Sequence, residues 1–294
     1  QWDRCFEVLE KASALDSTDE ESAELEFRKG RVVAERAGKD TSAEEKAAIR
    51  AHYERALELV PSHGEAAAAL ESFAREAEDW PRVAELLELR CHGAEDENEC
   101  LELLRELGAL YRDKLGQAER SVATWERARE LAPKDTEVLV PLAEAYCGAD
   151  RLDDAEPILA ALVEAAGNRR SKDLARYLQL LGVIAERRGD REAALGHYEK
   201  AYRMDSTSGP TLVALGRVYS EANDWQSARR IYRSMLLQNP KADWGITRAE
   251  IFGALGKIHA ALGETAKAKS MLERGLEIEP DNASLRDALD ALDL

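Results

Sequence analysis

Aromatic side chains are scarce in this chain. They make up 6% of 294 residues, with four Phe, against 45% apolar residues in all. A core must therefore be assembled from Ala and Leu rather than from rings. Proline is also scarce, eight in total, and several of the eight close an apparent helix. No run of about 18 apolar residues occurs, which excludes a membrane-spanning helix. The chain has no signal-peptide pattern and no initiator Met. It starts at Gln1 inside what reads as a helix, QWDRCFEVLEKASAL, and is expected to be an excised piece of a longer protein. The four cysteines (Cys5, Cys91, Cys100, Cys147) sit at no disulfide-framework spacing. Reduced thiols in a cytoplasmic compartment are expected. Cys91-His92 with Cys100 offers three soft ligands, but at a spacing that matches no zinc pattern, so no metal is assigned.

Catalytic signatures are missing as well. No HExxH, GxSxG or GxGxxG occurs. The GKD at Gly38 lacks the glycine five residues earlier that a phosphate loop needs, and Asp40 stands where Ser or Thr would hold magnesium. The five histidines (His52, His63, His92, His197, His259) are scattered. Carboxylate pairs are plentiful, but helices this acidic produce them by chance. The chain reads as a non-enzyme with no cofactor.

Charge, by contrast, is abundant: 34% of residues, with a net charge of −17. It is uneven. Residues 1–100 carry 26 acids and 13 bases, residues 101–200 carry 19 and 16, and residues 201–294 carry 13 and 12. Such a field repels a polyanion, so no nucleic-acid partner is expected.

What recurs is a spacing. LGKIHAALGETAKAKSMLERGLEIEP (255–280) and LGRVYSEANDWQSARRIYRSMLLQNP (215–240) share few letters, yet both begin Leu-Gly, place Ala twelve residues after the glycine and end in Pro. LGVIAERRGDREAALGHYEKAYRMDS (181–206) repeats the spacing with Ser in the last place, and a segment ending at Pro133 repeats it with one extra residue. Gly108, Gly182, Gly216 and Gly256 fall mid-helix, where glycine costs roughly 1 kcal/mol against alanine. That cost is intelligible if another helix must approach closely, with Ala155, Ala194, Ala228 and Ala268 serving the same contact from the second helix. Pro61, Pro133, Pro240 and Pro280 stop the second helix.

This pattern resembles the tetratricopeptide repeat, a helix-turn-helix unit. The resemblance implies an all-α fold, a right-handed superhelical α-solenoid of antiparallel helix pairs. In that register residues 1–294 read as a single solenoid. Residues 1–20 form the second helix of a truncated repeat. Repeats follow at 23–63, 64–97, 101–135, 136–169, 175–208, 209–242 and 249–282, and residues 283–294 form a C-terminal capping helix. Repeat 23–63 is too long, with Ser42 and Glu45 reading as a capping box at its second helix. Repeat 64–97 lacks the Leu-Gly. Insertions fall at NRRSKD (168–173) and DWGITR (243–248). The Ala/Arg/Glu-rich style is similar to that of bacterial multi-repeat proteins of this type.

The resemblance implies that the first helices line a groove for a protein or peptide. Four central groove slots in seven repeats hold seven bases, Arg28, Arg31, Arg75, Arg105, Arg112, Arg217 and Lys257, against three acids, Glu106, Glu144 and Glu186. A basic floor on an acidic protein suggests an acidic segment as partner. Val140, Pro141, Leu180 and Val183 fall in the middle groove slots and would form an apolar patch if exposed. Trp244, alone in its insertion, is a candidate exposed contact, and covering the insertion's own core is the alternative. The Lys/Asn clamp of the family's chaperone-binding members is absent. The expected function is a non-catalytic protein-interaction scaffold. The alternatives are a regulatory or targeting segment of a larger enzyme or sensor, and self-association through exposed repeat ends.

Overall fold

The computed structural model describes residues 2–13, 18–38, 41–167 and 169–292. Among these residues every regular element is helical. The α-helices are α1 (Trp2–Ser13), α2 (Asp19–Ala37), α3 (Ala43–Leu59), α4 (Gly64–Glu76), α5 (Trp80–Gly93), α6 (Glu97–Asp113), α7 (Ala118–Leu131), α8 (Thr136–Gly148), α9 (Leu152–Ala166), α10 (Lys172–Arg187), α11 (Arg191–Met204), α12 (Gly209–Glu221), α13 (Trp225–Gln238), α14 (Arg248–Ala261), α15 (Thr265–Ile278) and α16 (Ala283–Asp290). A 3₁₀ turn, Ala242–Trp244, lies in the second insertion. Lys39 and Asp40 of the GKD stretch, and Asn168 of the first insertion, lie outside the described residues.

The chain forms two compact units, Gln1–Arg151 with α1 to α8, and Leu152–Leu294 with α9 to α16. The boundary falls within the repeat expected at 136–169. Inside each unit every helix packs on its neighbours in sequence.

Pairing within a repeat rests on the mid-helix glycines. A Cβ on Gly108 would collide with the Trp125 ring, on Gly182 with Tyr198, on Gly216 with Tyr232 (2.9 Å from Cζ), and on Gly256 with Leu272 (2.7 Å). Gly30, not singled out from sequence, meets Tyr53 in the same way. Ala155, Ala194, Ala228 and Ala268 are completely or almost completely buried. In the one-residue-longer repeat their place is taken by Ser121, whose hydroxyl donates to the Gly108 carbonyl at 2.8 Å. Repeat 64–97 solves the contact differently. Glu71 stands where the glycine would be, and is buried. Its carboxylate accepts from Arg90 of α5 at 2.6 Å and from Arg75 at 2.7 Å, so an ion pair replaces a ring.

Turn chemistry sets the angle at which each second helix starts. Glu78, Asp150, Gly189, Asn223 and Gly263 follow the first helices of their repeats with φ of 54°, 59°, 81°, 57° and 74°. This is the left-handed region that Gly and Asn tolerate best. The next residue often caps the following helix: Asp79, Asp190 and Asp224 accept from the amides of Arg82, Ala193 and Ser227 at 3.2, 2.9 and 3.1 Å. The Ser42–Glu45 capping box is present at α3, and Thr18–Glu21 and Thr247–Glu250 form two more.

Successive repeats are joined by tyrosines. Tyr146 of α8 donates to Glu126 of α7, and Tyr219 of α12 to Glu199 of α11, both at 2.7 Å. Arg151 adds its guanidinium over the Tyr146 ring, 4.6 Å from the centroid, and reaches Glu126 at 3.2 Å.

The cysteines depart from the expectation of four thiols. Cys91 and Cys100 form a disulfide with Cα atoms 4.8 Å apart, while Cys5 and Cys147 take no part in one. The end of α5 and the first turn of α6 face each other across a tight connection. That proximity comes from the turn, and linear spacing does not show it.

Two outcomes follow. Glu78 carries a left-handed backbone that costs a non-glycine residue about 1–2 kcal/mol, partly offset by glycine's greater freedom when unfolded. Glu78→Gly should therefore stabilise unit 1 by about 0.5–1 kcal/mol in urea unfolding, and a loss would contradict this reading of the turn. Tyr146 and Tyr219 are each pushed up to about 12, by burial first and then by donation to Glu126 or Glu199. A folded pKa above the unfolded value of about 10 means these contacts stabilise fully below pH 10 and fade as pH rises towards 12. Wild type should lose stability across that window, and the Tyr146→Phe/Tyr219→Phe protein should lose less. Parallel losses would refute the assignment.

Candidate functional site

The basic groove residues are spread over three first helices in unit 1. Arg28 and Arg31 lie on α2, Arg75 on α4, and Arg105 and Arg112 on α6. None of the five is a free cation. Arg28 pairs with Glu24, and Arg31 with Glu35 at 3.7 Å, one turn apart on the same helix. Arg75 bridges Glu71 to Glu106 of α6. Arg105 touches Glu102 at 2.7 Å, Asp135 ahead of α8, and Glu137 at 3.1 Å. Arg112 holds Asp113 at 2.7 Å and reaches Glu144 of α8 at 2.9 Å. The Arg112 hydrogen bond keeps the Asp113 carboxyl below its ordinary range.

This corrects the expected basic floor. Two of the three acids counted against the bases, Glu106 and Glu144, are bonded to Arg75 and Arg112, and neighbouring carboxylates outside the counted slots neutralise the rest. First helices of successive repeats lie side by side, so a base on one meets an acid on the next. In unit 1 the groove charges act as stitching between repeats: Arg75 links α4 to α6, and Arg105 and Arg112 link α6 to α8 and the residues ahead of it. Arg28 and Arg31 remain exposed. Their one-turn pairs are of the type worth about 0.3–0.5 kcal/mol. Both line a cavity of 540 Å³ with Val32, Val8, Cys5 and Leu9, between α1 and α2.

Unit 2 is arranged differently. Arg217 of α12 pairs with Glu186 of α10 and, at 3.2 Å, with Glu221. Lys257 of α14 is exposed and makes no ion pair among the described residues. Both line a 690 Å³ groove whose walls come mainly from α12, α14 and α16, with Trp225 and Tyr232 of α13; Val213, Ala254, Ile246 and Leu285 belong to its apolar part, and Glu221 and Glu250 line it too. Sequence reasoning placed α16 as a solvating cap and so missed its contribution. Leu285 is buried against Ala249 and Leu272, and Asn282, which caps α16 through its side chain, faces the groove.

The residues of the expected apolar patch fall in both units, and none of them is fully exposed. Val140 is 5% exposed, part of the α8 core, since the α8 residues Val138, Val140 and Leu142 are all buried. Pro141 is half-buried. Leu180 and Val183 are half-buried on α10, and Val183 packs on the core shared by α11 and α12. Trp244 is half-buried too. Its ring lies on Gly209 at the start of α12, against the same core. The insertion is thus anchored by its tryptophan, whose ring is only partly exposed. His259, in a tyrosine slot, is buried with Nδ1 2.5 Å from Glu264. Among the described residues no cluster of His, Cys, Asp or Glu is arranged to hold a metal ion, and no helix is long and apolar enough to cross a membrane.

Three tetratricopeptide repeat family models match, at residues 134–207, 186–251 and 249–282, together half of the chain. The chain is 28% identical over 196 residues to the human protein O-mannosyl-transferase TMTC1, covering 65% of this chain and 21% of that protein. Among solved structures it is similar to a tetratricopeptide repeat protein from Parabacteroides merdae, at 13% identity and a TM-score of 0.53 over 93% of this chain and all of the other. It is also similar to the Thermus thermophilus tetratricopeptide protein TTC0263, at 23% identity and a TM-score of 0.43 over 65% and 98%. The repeat spacing, the small residue under each ring and the matched family models agree: the chain belongs to the tetratricopeptide repeat family.

Proposed function

We propose that the protein is a non-catalytic interaction scaffold that holds a peptide or protein partner in the α12–α14–α16 groove of unit 2. The observation that carries this reading is the contrast between the units. In unit 1 every groove base is spent on a neighbouring carboxylate, whereas in unit 2 Lys257 stands exposed and unpaired beside Val213 and Ala254. An extended segment with apolar side chains and a carboxylate opposite Lys257 fits that combination. Because stacked helices build the groove, it is formed before the partner arrives, and only the partner is ordered on binding.

A second reading has one observation in its favour. The chain spans 21% of the human mannosyl-transferase it resembles. The repeats would then be the interaction segment of a longer enzyme. The groove serves both readings, so testing the groove comes first.

Panning a peptide library on the full chain and on Lys257→Glu tests it. Wild type should enrich acidic-apolar peptides that bind about tenfold more weakly to the variant and weaken with salt, the mark of a rim charge. Enrichment identical on both proteins would remove the groove from consideration.

A further inference from the structure

We propose that Cys91 and Cys100 form a reversible thiol–disulfide couple in which Cys100 is the sulfur open to attack and Cys91 is the sulfur that leaves, received by Arg127. This does not rest on the partner groove.

The two sulfurs differ in surroundings. Cys91, in the last turn of α5, is 5% exposed. Cys100, in the first turn of α6, is half-buried and reachable from solvent. Arg127 reaches back from α7, with Nη2 3.7 Å from Cys91 Sγ and Nη1 3.1 Å from Glu88 of α5. A thiolate released at Cys91 meets a guanidinium already in place. A thiolate at Cys100 would have the α6 N-terminus in its favour but Glu95, Asp96, Glu97 and Glu99, all exposed acids around that turn, against it, and these outweigh a partial charge. In thiol–disulfide exchange the better-stabilised thiolate leaves and the accessible sulfur is attacked. Both criteria select the same direction.

The step balances with a low-molecular-weight thiol as reductant. Its thiolate attacks Cys100 Sγ, a new S–S bond forms, and the Cys91–Cys100 bond breaks with its electron pair on Cys91 beside Arg127. A second thiol attacks the outer sulfur of the mixed disulfide and frees Cys100. Two electrons and two protons reach the protein, and the small thiol ends as its disulfide. Oxidation is the reverse. The acidic rim repels anionic thiols, so the fitting co-reactant is neutral or cationic. In the oxidised form α5 is tied covalently to α6. In the reduced form that tie is lost, and the link from Arg127 to α5, already made through Glu88, gains the Cys91 thiolate.

The test equilibrates the full chain with graded ratios of cysteamine and cystamine, followed by alkylation and peptide mass mapping. The pair should interconvert with the protein folded. Cys91→Ser should accumulate the cysteamine mixed disulfide on Cys100, while Cys100→Ser leaves Cys91 modified at least tenfold more slowly. Arg127→Gln should shift the midpoint about tenfold towards the disulfide, the effect of removing one adjacent positive charge. Glu88→Gln, which leaves Arg127 to Cys91 alone, should shift it the other way. Cys91 and Cys100 both alkylatable in excess cystamine, a mixed disulfide on Cys91, or a midpoint unmoved by Arg127→Gln would each overturn the proposal.

Discussion

Everything in this protein depends on a helix backbone left bare so that a ring from the next helix can lie against it. Gly30, Gly108, Gly182 and Gly216 each sit under an aromatic ring, and Gly256 under Leu272. The contact fixes how closely the two helices of a repeat approach, and so where the next repeat begins. It explains how a chain with 6% aromatics sustains so many helices: the few rings are placed where each serves two helices at once. Glu71 shows what the constraint permits. A buried carboxylate occupies the glycine's place only because Arg75 and Arg90 converge on it. An unpaired charge there would cost several kcal/mol.

Once repeats stack, the outward residues of neighbouring first helices are brought into register, and charge settles locally. Arg75–Glu106, Arg112–Glu144 and Arg217–Glu186 each join one first helix to another. A chain of net charge −17 can therefore hold its bases tightly without presenting a basic surface. Lys257, outside this stitching, stays exposed. Function in such a scaffold is assigned by what the stacking leaves unsatisfied.

The fold was legible because its determinants are periodic. Leu-Gly, the small residue twelve places on, and the closing proline survive as a spacing even where letters drift. Gly30 was overlooked because its repeat is lengthened, and Glu71 because an ion pair leaves no mark in a pattern of small residues. The site was less legible for a geometric reason. A slot count sees which residues point towards the groove, but not that Glu106 lies within reach of Arg75, or that Asp135 and Glu137 reach Arg105 from the next turn. Val140 and Trp244 were judged by position alone, and their neighbours bury the first and half-bury the second. The Cys91–Cys100 pairing was hidden because spacing rules describe frameworks, whereas a single tight connection between α5 and α6 brings these two together.

The bare-backbone contact is tested most directly by a double-mutant cycle at Gly182 and Tyr198, read as urea-unfolding free energy. A Cβ on residue 182 would collide with the Tyr198 ring. Gly182→Ala should therefore destabilise the wild type by about 1–3 kcal/mol through overpacking. With Tyr198→Leu in place the collision is gone, and the same change should be neutral or stabilise by up to about 1 kcal/mol, the helix preference of alanine over glycine. Equal costs in both backgrounds would mean that the ring does not require the glycine, and the account of how the repeats are built would fail.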